Sequence, residues 1–214
     1  MITELIHTVL HLDESLVLWT QNFGPWMYLI LFLVIFAETG LIVTPFLPGD
    51  SLLFAAGAVC ALDGSALEIW IVWGLLVSAA IIGDNVNYWL GREFGARWIE
   101  TRKIAINKQY LNEAEQFYKD YGLRTVILAR FLPIVRTFAP FVAGLAHMKY
   151  KSYLSMSVVG SLLWMTVFLG AGYKFGNISQ VKSNFHLIIL AVIFVSFLPI
   201  VFKIIKARLA SKIS

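Results

Sequence analysis

Charge is scarce in this sequence. Only 14% of its 214 residues are Asp, Glu, Lys or Arg, whereas 59% are hydrophobic. A water-soluble domain carries about 25% charged and about 45–50% apolar residues. So few charges cannot cover the surface of a soluble fold of this size, and the chain asks for an apolar solvent. Cysteine is reduced to Cys60, which excludes an internal disulfide and says little about compartment. The four histidines, His7, His11, His147 and His186, are scattered without metal-ligand spacing. Gly-x-Ser-x-Gly, P-loop and His-Glu-x-x-His motifs are missing as well. Nothing here supports an enzyme, and neither metal nor cofactor is expected. The N-terminus carries Glu4 instead of a basic cluster, and no apolar stretch follows at once, so it does not read as a cleavable signal.

What the chain has is long apolar runs. A bilayer core needs about 20 apolar residues in a helix, and such stretches fall at about 25–61, 67–90, 123–146, 152–173 and 185–205. Aromatic pairs stand at many of their ends, among them Trp26 and Tyr28, Trp70 and Trp73, Tyr88 and Trp89, and Tyr150 and Tyr153. Amphipathic rings settle at the membrane–water boundary. Residues 1–24 mix His7, His11, Asp13 and Glu14 with Leu and Val and read as a surface-lying amphipathic helix. The net charge of +4 comes from bases that flank apolar segments, which points to membrane orientation and away from nucleic acid.

Two of the apolar stretches are interrupted. The first is cut by Pro45, Pro48 and Gly49, and the second by Pro133 and then Pro140. Proline removes a helical donor and clashes with the preceding turn. Each stretch therefore reads as two half-helices joined within the membrane, although a simple kink is the plainer alternative for either one. Backbone of this kind is tolerated at membrane depth only inside protein or along a wet cavity.

The two interruptions belong to an internal repeat. Phe46-Leu47-Pro48 is matched by Phe131-Leu132-Pro133, and Phe54-Ala55-Ala56-Gly57 by Phe141-Val142-Ala143-Gly144. After the next apolar span, Gly91-Arg92-Glu93-Phe94-Gly95 is echoed by Gly172-Tyr173-Lys174-Phe175-Gly176. The same order of features recurring is the mark of a repeat architecture.

Orientation follows from the bases. The basic stretch 92–124 and the C-terminal tail, with Lys203, Lys206, Arg208 and Lys212, are both placed on the cytoplasmic side. The spans 152–173 and 185–205 then cross out and back, so 123–146 begins and ends on the same side and is re-entrant. If 25–61 is re-entrant too, the repeats form an inverted pair. Between the repeats, 97–122 reads as a surface helix, with an apolar stripe over 108–121 and a stop at Gly122. The basic cytoplasmic tail is 206–214. The expected fold is all-α, a polytopic membrane helical bundle with two inverted re-entrant helical hairpins.

Four charges lie in or beside the interruptions: Glu38, Asp50, Arg130 and Arg136. A charge at mid-membrane costs about 2.5–3.5 kcal/mol even on lenient scales. Arg130 and Arg136, with Thr137 beside them, suit a phosphate headgroup, because arginine stays charged and grips phosphate in a bidentate fork. Glu38 and Asp50 suit proton exchange or headgroup coordination. A static ion pair, and for the arginines interfacial snorkelling, are the bland alternatives. Asp84, Asn87, Tyr88 and Arg92 form a secondary polar patch that suits site-lining and helix packing equally.

At these residues the chain resembles the DedA family of bacterial inner-membrane proteins, which carries the VTT (SNARE-associated) domain. The matching motifs are residues 36–53, including Glu38, Pro45, Pro48, Gly49 and Asp50; residues 83–92, including Asp84, Tyr88 and Arg92; and residues 129–144, including Arg130, Pro133, Arg136 and Pro140. The resemblance implies roles in membrane lipid homeostasis, envelope integrity, cell division and dependence on the proton motive force. Some members are implicated in moving undecaprenyl phosphate or phospholipids across the membrane. It also places the family's essential acidic pair on Glu38 and Asp50 and its essential arginines on Arg130 and Arg136. The expected partners are an anionic lipid headgroup and protons, in the inner membrane, with a homo-oligomer left open. A non-transporting scaffold and a proton-coupled ion antiporter are the competing readings.

Overall fold

The computed structural model describes residues 20–41, 49–101, 116 and 118–178. The span expected at 185–205, the basic tail, Pro45, Pro48 and most of the N-terminal and surface helices lie outside the described residues. Every regular element among the described residues is helical: α1 (Pro25–Gly40), α2 (Gly49–Cys60), α3 (Ile69–Thr101), α4 (Thr125–Leu128), α5 (Pro133–Leu145) and α6 (Tyr150–Gly176), with 3-10 turns at Gly122–Arg124 and Ala129–Phe131. Two of these helices are long and apolar enough to cross a membrane, over Ile69–Gly95 and Tyr150–Gly176, 27 residues each. At 1.5 Å per residue that is about 40 Å, more than the hydrocarbon core requires. The α3 helix runs 33 residues. It overshoots the expected end at residue 90 and absorbs the start of the expected surface helix, since Arg92 to Thr101 contains no proline to stop it.

The chain packs as two compact units. One holds the described residues of 20–27, 49–70 and 168–178, and the other those of 28–41 and 71–167. Each unit contains the same helix crossing. In the first, a Cβ on Gly57 would overlap the carbonyl of Leu169 and meet Tyr173 N at 2.9 Å, and one on Gly172 would overlap the carbonyl of Phe54. In the second, a Cβ on Gly144 would overlap the carbonyl of Tyr88 and meet Arg92 N at 2.9 Å, and one on Gly91 would overlap the carbonyl of Phe141. The repeated motifs are thus used crosswise. Phe54–Gly57 of the first repeat packs on Gly172–Gly176 of the second, and Phe141–Gly144 of the second packs on Gly91–Gly95 of the first. Small residues let membrane helices approach closely enough for dense van der Waals packing.

The second interruption is visible in detail. Leu132 is extended, at φ −115° and ψ 107°, between the Ala129–Phe131 turn and Pro133. Proline disfavours the helical region for the residue before it and is well suited to a first helical turn. Pro140 behaves differently from expectation: it lies inside α5, which runs through it to Leu145, so no break occurs there. Side chains serve carbonyls around it, since Asn87 Nδ2 donates to Thr137 O at 2.8 Å and Tyr118 Oη to Ala139 O at 3.0 Å. In the first interruption α1 ends at Gly40 and α2 begins at Gly49.

Several of the expected boundary rings are exposed, Trp26 by 66% and Trp70 by 74%. Tyr88 and Tyr153 depart from that expectation. Both are fully buried, with rings stacked 4.4 Å apart. Gly122, at φ +58°, sits in the left-handed region that favours glycine and ends the helical run before it.

Candidate functional site

The interruption before α5 sets the site. Arg130 stands in the 3-10 turn just ahead of Leu132, and Arg136 one turn into α5. Two charges six residues apart are thereby delivered by different elements. Helix α1 reaches the same place through a close crossing with α3, where a Cβ on Gly83 would overlap the Thr39 hydroxyl. Asn87 of α3 ties three elements together. Its single amide nitrogen donates to Thr39 O of α1 at 3.1 Å and to Thr137 O of α5 at 2.8 Å. One turn further back on that face, Asp84 points the same way.

The result is two buried ion pairs side by side. Arg136 Nη2 binds Glu38 Oε1, and Arg130 Nη2 binds Asp84 Oδ2. Glu38 is 1% exposed and Arg130 5%. Both guanidinium groups lie over the ring of Trp164, Arg136 at 5.1 Å and Arg130 at 5.7 Å from its centroid. A cation over an indole face gains about 2 kcal/mol when desolvated. Ser157 Oγ donates to Asp84 Oδ2 at 2.6 Å and lies 3.5 Å from Arg130 Nη2. Gly160 leaves room for the arginine, since a Cβ there would meet Arg130 Cδ and Nε at 3.0 Å. Glu38, Thr39, Asp84, Arg130, Arg136, Thr137 and Trp164 line one small cavity with room for about one water.

The sequence candidates are therefore divided. Glu38, Arg130, Arg136 and Thr137 come together. Asp50 stands in the first turn of α2, in the other unit. The secondary patch splits by helix face. Asp84 and Asn87 join the arginines, whereas Tyr88 and Arg92 hold the turn between α5 and α6. Tyr88 Oη donates to Met148 O at 2.6 Å, and Arg92 Nη1 donates to Tyr88 Oη at 3.0 Å. Tyr118 supports α5 from the segment before it, and burial pushes its phenol upward, so it stays a donor to Ala139 O. No group of His, Cys, Asp and Glu among the described residues could hold a metal ion.

Sequence reasoning missed the α6 wall. Ser157, Gly160, Ser161 and Trp164 fall at i, i+3, i+4 and i+7, a small and polar stripe along an otherwise apolar span. That stripe was a readable signal. It also missed that Asp84 is the partner of Arg130, which two residues 46 positions apart give no local cue to find.

The chain is similar to known membrane proteins. Residues 47–174 match the VTT domain. The chain is 49% identical over 208 residues to protein DedA of Escherichia coli strain K12, covering 97% of this chain and 95% of that one. It is 42% identical over 167 residues to an uncharacterised membrane protein of Mycobacterium leprae, covering 78% and 74%. It is 32% identical over 169 residues to the inner membrane protein YqjA of Escherichia coli strain K12, covering 75% and 76%. No solved structure matches. With the domain spanning more than half the chain and a relative matching nearly all of it, this membrane protein belongs to the DedA family.

Proposed function

We propose that the protein moves a phosphate-bearing lipid, undecaprenyl phosphate or a phospholipid, across the bacterial inner membrane, coupled to the proton motive force and in support of envelope integrity and cell division. The observation that carries this reading is the pair of guanidinium groups over the ring of Trp164, beside the start of a half-helix. Two arginines held that way match the oxygens of a phosphate, and free N–H groups at a helix start favour the same anion. Glu38 and Asp50 bind and release protons or hold the headgroup. Each proton crossing with the field yields about 2.3 kcal/mol per 100 mV to drive the exchange. The cavity is closed around its own ion pairs, so substrate binding requires them to open.

Reconstituted vesicles test the proposal. Purified protein should move a labelled anionic lipid between leaflets, and Arg130→Ala and Arg136→Ala should each reduce the rate at least tenfold. Undiminished movement by both variants rules out the phosphate clamp.

The closed ion pairs favour a second reading, a scaffold in which these charges are structural. Glu38→Arg combined with Arg136→Glu separates the two. A structural pair survives the exchange and function returns, whereas a phosphate site loses its cation where the ligand needs it and stays inactive though folded.

A further inference from the structure

The proposed function leaves Asp84 without a task. Its carboxylate is buried, 4% exposed, with Arg130 on one oxygen and the Ser157 hydroxyl on the same oxygen at 2.6 Å. Tyr153 Oη donates to the backbone carbonyl of Asp84 at 2.9 Å, fixing the main chain and leaving the carboxylate to Arg130 and Ser157. Tyr118 lies near enough to feel its charge, and Glu38 and Arg136 face it across the cavity.

The charges of the cavity sum to zero: Arg130 and Arg136 against Glu38 and Asp84. An added anion would leave a net negative charge in a largely buried site, which is unfavourable. One proton restores neutrality. The geometry indicates where it goes. Arg130 Nε is buried without a hydrogen-bond partner among the described residues, a spare donor on the guanidinium that Asp84 already occupies. A buried unsatisfied donor in a native structure calls for an explanation, and a second oxygen from an incoming anion supplies one. Ser157 is a hydroxyl, able to donate to a carboxylate and, once rotated, to accept from a carboxylic acid. Asp84 can therefore change protonation without losing its partner.

We propose that Asp84 is an internal stand-in for the substrate anion on Arg130: a phosphate-class anion displaces its carboxylate, which takes up one proton from water and keeps it against Ser157. The inference rests on the reading of Arg130 as a phosphate ligand and adds to it a stoichiometry, one proton for each monoanion bound. No bond other than the new O–H is formed.

Binding measured on the full chain in phosphate-free maltoside micelles tests this. The probes are phosphatidylglycerol and dimethyl phosphate, phosphodiesters that carry no proton of their own near neutral pH. Calorimetry in buffers of different ionisation enthalpy counts the protons. Wild-type protein should take up one proton per anion through Asp84, and affinity should fall about tenfold per pH unit once Asp84 is ionised. Asp84→Asn should bind more tightly, without that pH dependence, and with one proton fewer. An Asp84→Asn protein that keeps the full uptake overturns the inference while leaving the lipid reading intact. Wild-type protein that binds neither probe overturns both. Proton-coupled binding of phosphatidylglycerol alone supports the inference with a lipid headgroup as the ligand, and proton-coupled binding of both probes supports it with free phosphodiester. If Asp84→Asn does not fold, Ser157→Ala keeps the carboxylate and removes its donor. The binding curve should then move to higher pH, and an unmoved curve overturns the inference.

Discussion

A guanidinium enclosed in a membrane protein has to be matched by charge and by hydrogen bonds, and the two arginines of this site are matched in different ways. Arg136 is met by Glu38 from α1, and Arg130 by Asp84 from α3, with Ser157 of α6 completing the second pair. Removing one member of a buried pair is costlier than the pair is worth, because the survivor keeps its charge without compensation. Glu38→Ala should therefore lower unfolding stability in detergent by about 3–5 kcal/mol, read as a clear drop in melting temperature. Glu38→Gln, which still accepts a hydrogen bond from Arg136, should cost less. A variant Glu38→Ala that melts with the wild type would mean the Arg136 charge is neutralised elsewhere. The residue scale was partly legible in the sequence. Glu38, Arg130 and Arg136 were marked by the cost of placing them in an apolar run. Trp164 was not, since an indole in a membrane helix has many ordinary uses.

Among the elements, the glycines carry the most information. The crossing of α2 with the end of α6, and that of α5 with α3, rely on main chains that touch where Gly57, Gly172, Gly144 and Gly91 leave no side chain. Gly57→Ala and Gly144→Ala should each drive a methyl into a backbone carbonyl and force the helices apart, with loss of folded protein. Gly74→Ala is the control. Its surroundings are open within 4 Å, and a helical alanine should stabilise by about 0.5–1 kcal/mol. Comparable yields and melting temperatures for all three variants would refute this assignment of the crossings. The repeat itself was visible as three matched motifs in order. That the motifs pair crosswise between repeats was not visible, because motif order along a chain carries no information about which copies meet.

For the whole molecule, the threading of the bilayer turns on the segment 123–146. Re-entrance of 123–146 places both of its ends on the cytoplasmic side, whereas a continuous crossing would place them on opposite sides. In a Cys60→Ser background, Arg124→Cys and Lys149→Cys should both react with a membrane-impermeant maleimide from the cytoplasmic face and from that face alone. Labelling from opposite faces would end the re-entrant reading. The break at Leu132 is compatible with a turn back, and it is the kind of backbone that stays within protein at membrane depth.

Composition alone required a membrane, since so little charge cannot solvate so much apolar chain. Proline and glycine chemistry located the interruption at Pro133, because a missing N–H and a ring clash act on the nearest turn and need no tertiary context. The partners were settled by the tertiary structure. Asp84 was assigned to Arg130, Trp164 was placed under both guanidinium groups, and Tyr88 was taken out of the site and put into the core. Pro140 was absorbed into a helix, with Asn87 and Tyr118 donating to carbonyls beside it. Such pairings depend on distances between helices remote in sequence, and those distances exist only once the helices have packed.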